Sequence, residues 1–192
     1  MKKIFIILAF IITQVASCQT PILPLSTYEN IPSGAYLKDI DNVLLPYVGT
    51  WEGTLDNKKY TFVFTKFPQY YKFGEYYEDV LKCKFKVTDL VTGNIIYNNL
   101  LATSYEEYSI LALMPHRGML SCLFTDTDAN CKNGLEFYVR NINGQPNKLT
   151  YCYFRYSESW GGLSIGLDCI NYSNRMNIPI FLPKQDLILT KI

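Results

Sequence analysis

The chain has 192 residues, 48% of them hydrophobic, and a formal net charge of +1. That length suggests one domain, able to bury roughly 70% of its unfolded surface without the help of a metal or a disulfide. Charge this close to neutral leaves no footprint for nucleic acid or for an anionic membrane surface.

Met1 to Cys18 reads as an export signal. Lys2 and Lys3 give the positive start, and Ile4 to Ile12 is an apolar run too short to cross a bilayer as a helix. Val15-Ala16-Ser17-Cys18 resembles the bacterial lipobox, an aliphatic residue and two small ones before Cys. The resemblance implies that the Cys18 thiol receives a diacylglycerol and becomes the mature N-terminus. Ordinary cleavage nearby is the plainer alternative. Several buried acyl chains, at about 0.8 kcal/mol per CH₂, would hold a protein on a membrane. The next residues, Gln19 to Pro24, carry no acidic cluster, which favours the periplasmic face over secretion or the cell surface. Residues 19–34 contain Pro21, Pro24, Pro32 and Gly34 and read as a flexible tether, reaching about 50 Å when extended.

The domain is expected over residues 35–192. Leu37, Ile40 and Leu44 have helical spacing, so one or two helical turns are expected over Asp39–Leu45, stopped by Pro46. Strand signals then recur at fairly even spacing. Trp51–Leu55 turns through Asp56 to Lys59 into Tyr60–Lys66, with Tyr60, Phe62 and Phe64 on one face. Phe67–Asp79 is rich in Tyr and reads as a long loop or a distorted hairpin. Leu81–Thr88 is the clearest strand: Leu81, Cys83, Phe85 and Val87 alternate with Lys82, Lys84, Lys86 and Thr88. Period two predicts one buried face and one solvated lysine face.

Further strands are expected at Ile95–Asn98, Tyr108–Met114, Met119–Thr125, Leu135–Ile142, Lys148–Tyr156 and Asp186–Ile192, with Ser157–Pro183 mostly loop. Eight to ten antiparallel strands must close or sandwich to avoid open edges. The expected fold is all-β, an up-and-down barrel with the last strand beside that of Trp51; a β-sandwich is the alternative.

Gly49-Thr50-Trp51 after a short helix resembles the start of a lipocalin-like domain, and implies an indole plugging the closed end of a barrel. Tyr36 to Lys66, with Tyr60-Thr61-Phe62 and the terminal Leu189-Thr190-Lys191, is similar to an exported family of unknown function from flavobacteria and relatives. That resemblance implies fold and export, and no activity. Lipocalins bring an Arg onto the Trp ring; here the final strand offers Lys191. Gly49, Trp51 and Gly53 are therefore structural expectations, since glycines admit close backbone approach beside a large ring.

No constellation predicts catalysis. The single His, His116, lies in the loop Pro115-His116-Arg117-Gly118 with no motif to place a nucleophile or carboxylate beside it. Asp126 to Asn130 superficially opens like a calcium loop, but Cys131 stands where Gly is needed, so a polar turn is expected. There are six cysteines. Cys83, Cys122 and Cys152 sit in strand-like runs as small buried hydrophobes. Cys131 and Cys169 are the better disulfide candidates, though pairing among the five after Cys18 stays open. No cofactor or metal is expected.

Two functions remain. One is a binding barrel holding a small apolar ligand above Trp51. The other is a structural or interaction lipoprotein, its barrel filled by its own side chains, acting through loops such as Phe67–Asp79 and Ser157–Asn174. The partner in either case is the membrane, through lipid on Cys18.

Overall fold

The structure is a computed structural model and describes residues 20–72, 74–113, 115–125, 134–156 and 181–192. The strands in chain order are β1 (Ile22–Pro24), β2 (Tyr36–Lys38), β3 (Gly49–Leu55), β4 (Lys58–Lys72), β5 (Tyr76–Asp89) and β6 (Ile95–Asn98). There follow β7 (Ile110–Ala112), β8 (Met119–Thr125), β9 (Gly134–Ile142), β10 (Gln145–Tyr156) and β11 (Leu187–Lys191). Eight of them, in the order β5-β4-β3-β11-β10-β9-β8-β7, form a closed antiparallel barrel, because β7 returns to pair with β5. The last strand lies beside that of Trp51, as expected, with Lys191 opposite Trp51 and Thr190 opposite Glu52.

Strand β5 is the organiser. One edge pairs with β4 along nearly its whole length. The other edge takes three partners in turn: β2 at Tyr77 and Glu78, β7 at Leu81 to Cys83, and β6 at Lys86 to Thr88. The alternation read from the sequence sets its inner face, where Leu81, Cys83, Phe85 and Val87 are buried. The segment Phe67–Asp79 is the distorted hairpin rather than the loop: β4 and β5 run past the barrel, with a bulge between Phe67 and Tyr70 where Gln69 takes φ 54°.

Three expectations need correction. No helix of one or two α-turns forms over Asp39–Leu45. Asn42 breaks the run with φ 54°, and a 3-10 turn follows at Leu45–Tyr47 with Pro46 inside it. The Asp39 carboxylate replaces the missing helical bonds by accepting from the amides of Val43 (2.8 Å) and Leu44 (3.3 Å). The turn drops Leu44 and Tyr47 into the core at one end of the barrel.

The stretch read as a flexible tether is bound to the domain from Pro21 onwards. β1 pairs in parallel with β2, Tyr36 N–H donates to Pro21 O at 2.8 Å, and Leu25 N–H to Lys38 O at 2.8 Å. Prolines suit this edge strand, which needs donors on one side only.

The outer face of β5 is not a solvated lysine stripe. Residues 98–109 fold across it, leaving Lys82 8% exposed. Lys82 Nζ lies 4.1 Å from the Tyr105 ring centroid. Lys84 Nζ donates to Ala102 O at 2.8 Å and sits 5.2 Å from the Tyr108 ring. Period two reports which face is inside the barrel; it does not report what a later loop lays over the other face.

Candidate functional site

Where a ligand-binding barrel would keep its cavity, this one stacks aromatic rings. Phe62 packs on Phe85 (centroids 5.6 Å), on Tyr151 (6.0 Å) and on Phe137 (6.3 Å). Phe85 continues the column to Tyr97 at 4.4 Å and Phe124 at 5.6 Å. Each such pair adds about 0.5–1.5 kcal/mol beyond its burial. Tyr151 meets the need of its own buried hydroxyl by donating to Pro183 O at 2.9 Å, and burial pushes that phenol well up. Trp51, fully buried, donates its indole N–H to Tyr47 O at 2.7 Å.

The room lies at the side. A cleft of about 490 Å³ opens between the N-terminal segment, the overhanging β4–β5 hairpin, Tyr105 and strand β7. Leu25, Thr27, Tyr28 and Ile31 form one wall, and Tyr70, Lys72, Tyr76 and Glu78 of the hairpin another. Leu37, Leu44, Leu81 and Ala112 make the floor, and Leu44, Leu81 and Ala112 belong to the barrel core. The volume lies within the range of small-molecule sites, about 300–1,000 Å³.

An ionic latch braces the cleft from beneath. Lys66 Nζ lies 3.0 Å from both Asp39 Oδ2 and Asp79 Oδ2. Asp79 also accepts from the Tyr36 hydroxyl, the Asp39 amide (3.1 Å) and the Gln69 amide (3.2 Å). Burial pushes the Asp79 carboxyl up, but those donors outweigh it and hold the group below its ordinary value. Tyr36 is pushed up to about 12, by burial first and then by Asp79. Lys66 is pulled down by burial and up by its two carboxylates, with the upward effect winning. Two carboxylates this heavily engaged are pre-committed acceptors, not a free acid and base. The latch ties β2, the 39–47 turn, β4 and β5 together. At the hairpin tip, Lys72 pairs with Glu78 at 2.8 Å.

A family model described as a family of unknown function (DUF6705) matches residues 1–192, the whole chain. The chain belongs to this family. No match was found among curated proteins or solved structures. Membership of DUF6705 brings no activity with it.

Of the residues singled out in the sequence, Gly49, Trp51 and Gly53 meet at the β3–β11 seam. A Cβ on Gly53 would lie 2.6 Å from Ile188 O, and one on Gly49, at φ +126°, would lie 2.8 Å from Lys191 Cε. Lys191 Nζ sits 5.1 Å from the Trp51 ring centroid, a cation–π contact. Cys18, Asp126 to Asn130, Cys131 and Cys169 lie outside the described residues. Cys83, Cys122 and Cys152 are free and buried. His116 is exposed, in a turn bridged to Met119. Among the described residues no group of three or more His, Cys, Asp or Glu could hold a metal.

Sequence reasoning missed the latch and the cleft. The partners Tyr36, Asp39, Lys66 and Asp79 are up to 43 residues apart. The Tyr-rich stretch Phe67–Asp79 was the only visible signal, and it became a cleft wall.

Proposed function

We propose that this protein is an exported, lipid-anchored barrel that binds a small, largely apolar ligand in its lateral cleft rather than along its axis. The observation that carries the reading is the contrast between a barrel axis stacked with aromatic rings and a 490 Å³ cleft floored by leucines beside it. The lipobox-like Val15-Ala16-Ser17-Cys18 supports anchoring on the periplasmic side of a membrane. The protein acts by binding, without chemistry of its own: the nearby carboxylates Asp39 and Asp79 are taken up by structural donors.

A second reading, an interaction lipoprotein, draws on the same packed axis, which matches a barrel used as a rigid support for its surface segments. Native mass spectrometry of the full-length chain purified from its own host separates the two. Leu113, next to Ala112, also lines the cleft; a retained small molecule, lost when Leu113 or Thr27 is replaced by Trp, supports the ligand reading. A protein that carries lipid on Cys18 and nothing else, and shows no thermal stabilisation by apolar ligands, supports the interaction reading.

A further inference from the structure

Pro21 is fixed to the domain by the Tyr36 amide, so whatever is attached at Cys18 is separated from the folded body by three residue steps. Three extended residues span at most about 11 Å. The reach is not the tens of ångströms of a free tether. The residues that follow at once, Leu25, Thr27, Tyr28 and Ile31, form one wall of the cleft. An anchor on Cys18 would therefore keep Pro21 within about 11 Å of the bilayer surface, with that wall next along the chain. Ile22 is 58% exposed and Tyr28 78%, and both lie on this short segment. A Tyr with an apolar ring and a polar tip is suited to the headgroup layer.

The lining is graded along the β4–β5 hairpin. Leu81 pairs with Lys66 at the barrel rim, and Tyr76 pairs with Lys72 at the hairpin tip. Over the five residue steps from Leu81 to Tyr76, roughly 17 Å of strand, the lining passes from an aliphatic floor, past the latch carboxylate of Asp79, to Tyr76 and the Lys72–Glu78 ion pair. A purely apolar ligand would leave the polar end idle, and a purely polar one would desolvate against leucines.

We propose that the cleft takes a membrane amphiphile, one acyl chain with a polar head, directly from the bilayer against which Cys18 holds it. This rests on the anchored-barrel reading above. The chain lies on Leu37, Leu44, Leu81 and Ala112, and the head lies at Tyr76, Lys72 and Glu78.

The test uses the full-length chain, processed in a bacterial host and reconstituted in phosphatidylethanolamine–phosphatidylglycerol vesicles containing a phospholipid with a photoactivatable acyl chain. Labelling is expected on peptides carrying Leu25 to Ile31 and Tyr70 to Glu78. It should fall about tenfold in Leu113→Trp or Thr27→Trp, with melting temperature and membrane retention unchanged. The mass of the N-terminal peptide reports the anchor separately. Labelling confined to other surfaces, or equal in the Trp variants, overturns the proposal. So does a cleft labelled only by photoactivatable chains incorporated on Cys18 itself. An unlipidated Cys18, with monomeric myristoyl lysophosphatidylethanolamine still bound and lost in the Trp variants, sinks the anchor and upholds the ligand class.

Discussion

Lys191 holds its ammonium 5.1 Å from the centre of the Trp51 ring, across the paired strands β11 and β3. The indole is fully buried while the lysine reaches solvent, so the pair caps the core at its rim. Lys191→Ala is expected to cost about 0.5–1 kcal/mol, the value of an exposed cation–π contact. Lys191→Arg should keep or raise stability, because a guanidinium stacks flat on a ring. Urea titration followed by Trp fluorescence checks both; equal losses in the two variants would show that the contact carries nothing.

The two glycines of this seam should fail in different ways. At Gly53 the obstacle is backbone, the Ile188 carbonyl, so Gly53→Ala is expected to cost about 1–3 kcal/mol. At Gly49 the obstacle is the movable end of Lys191, but the φ of +126° is itself strained for any side chain. Adding Lys191→Ala to Gly49→Ala should therefore recover little of the lost stability in a denaturant titration.

The latch makes stability depend on pH at both extremes. The Asp79 carboxyl is held below 3.8 in the folded state, so its contribution is full above that value and lost as pH falls through the lower folded one. Tyr36 runs the other way, raised from 10.0 to about 12: its contribution is full below 10.0 and lost as pH rises through about 12. Melting temperature against pH should fall off on both sides. Asp79→Asn should blunt the acid limb and Tyr36→Phe the alkaline one.

Lys82 offers a double-mutant cycle. Burial pulls its ammonium down and Glu106 returns part of the charge preference, while the Tyr105 ring lies 4.1 Å away. Tyr105→Leu should cost about 1–2 kcal/mol more with Lys82 in place than with Lys82→Met. A coupling near zero would reduce the contact to simple packing.

The thiols of Cys83 and Cys122 are pushed well up by burial, and that of Cys152 is raised by the same cause. Thiolate is the reactive form, so these three should resist maleimide in the native protein and react once it is unfolded. Peptide mass spectrometry reads each site, and rapid native labelling of Cys83 or Cys122 would contradict their burial.

Much of the barrel was legible in the chain itself. The alternation from Leu81 to Thr88 and the set Tyr60, Phe62 and Phe64 name inward residues, because a strand's side chains change face at every step. Gly49 and Gly53 mark the seam beside Trp51 for a local reason as well: Gly49 takes φ +126° and Gly53 admits the Ile188 carbonyl. What no local pattern could tell was how one strand edge is shared. β5 takes β2, β7 and β6 in succession, and that arrangement both closes the barrel and leaves the β4–β5 hairpin overhanging as a cleft wall. Nor could it tell that Tyr36, Asp39, Lys66 and Asp79 would meet, or that residues 98–109 would cover the lysines. Alternation fixes a side chain's direction relative to its own strand; which distant segment stands opposite is decided only when the whole sheet closes.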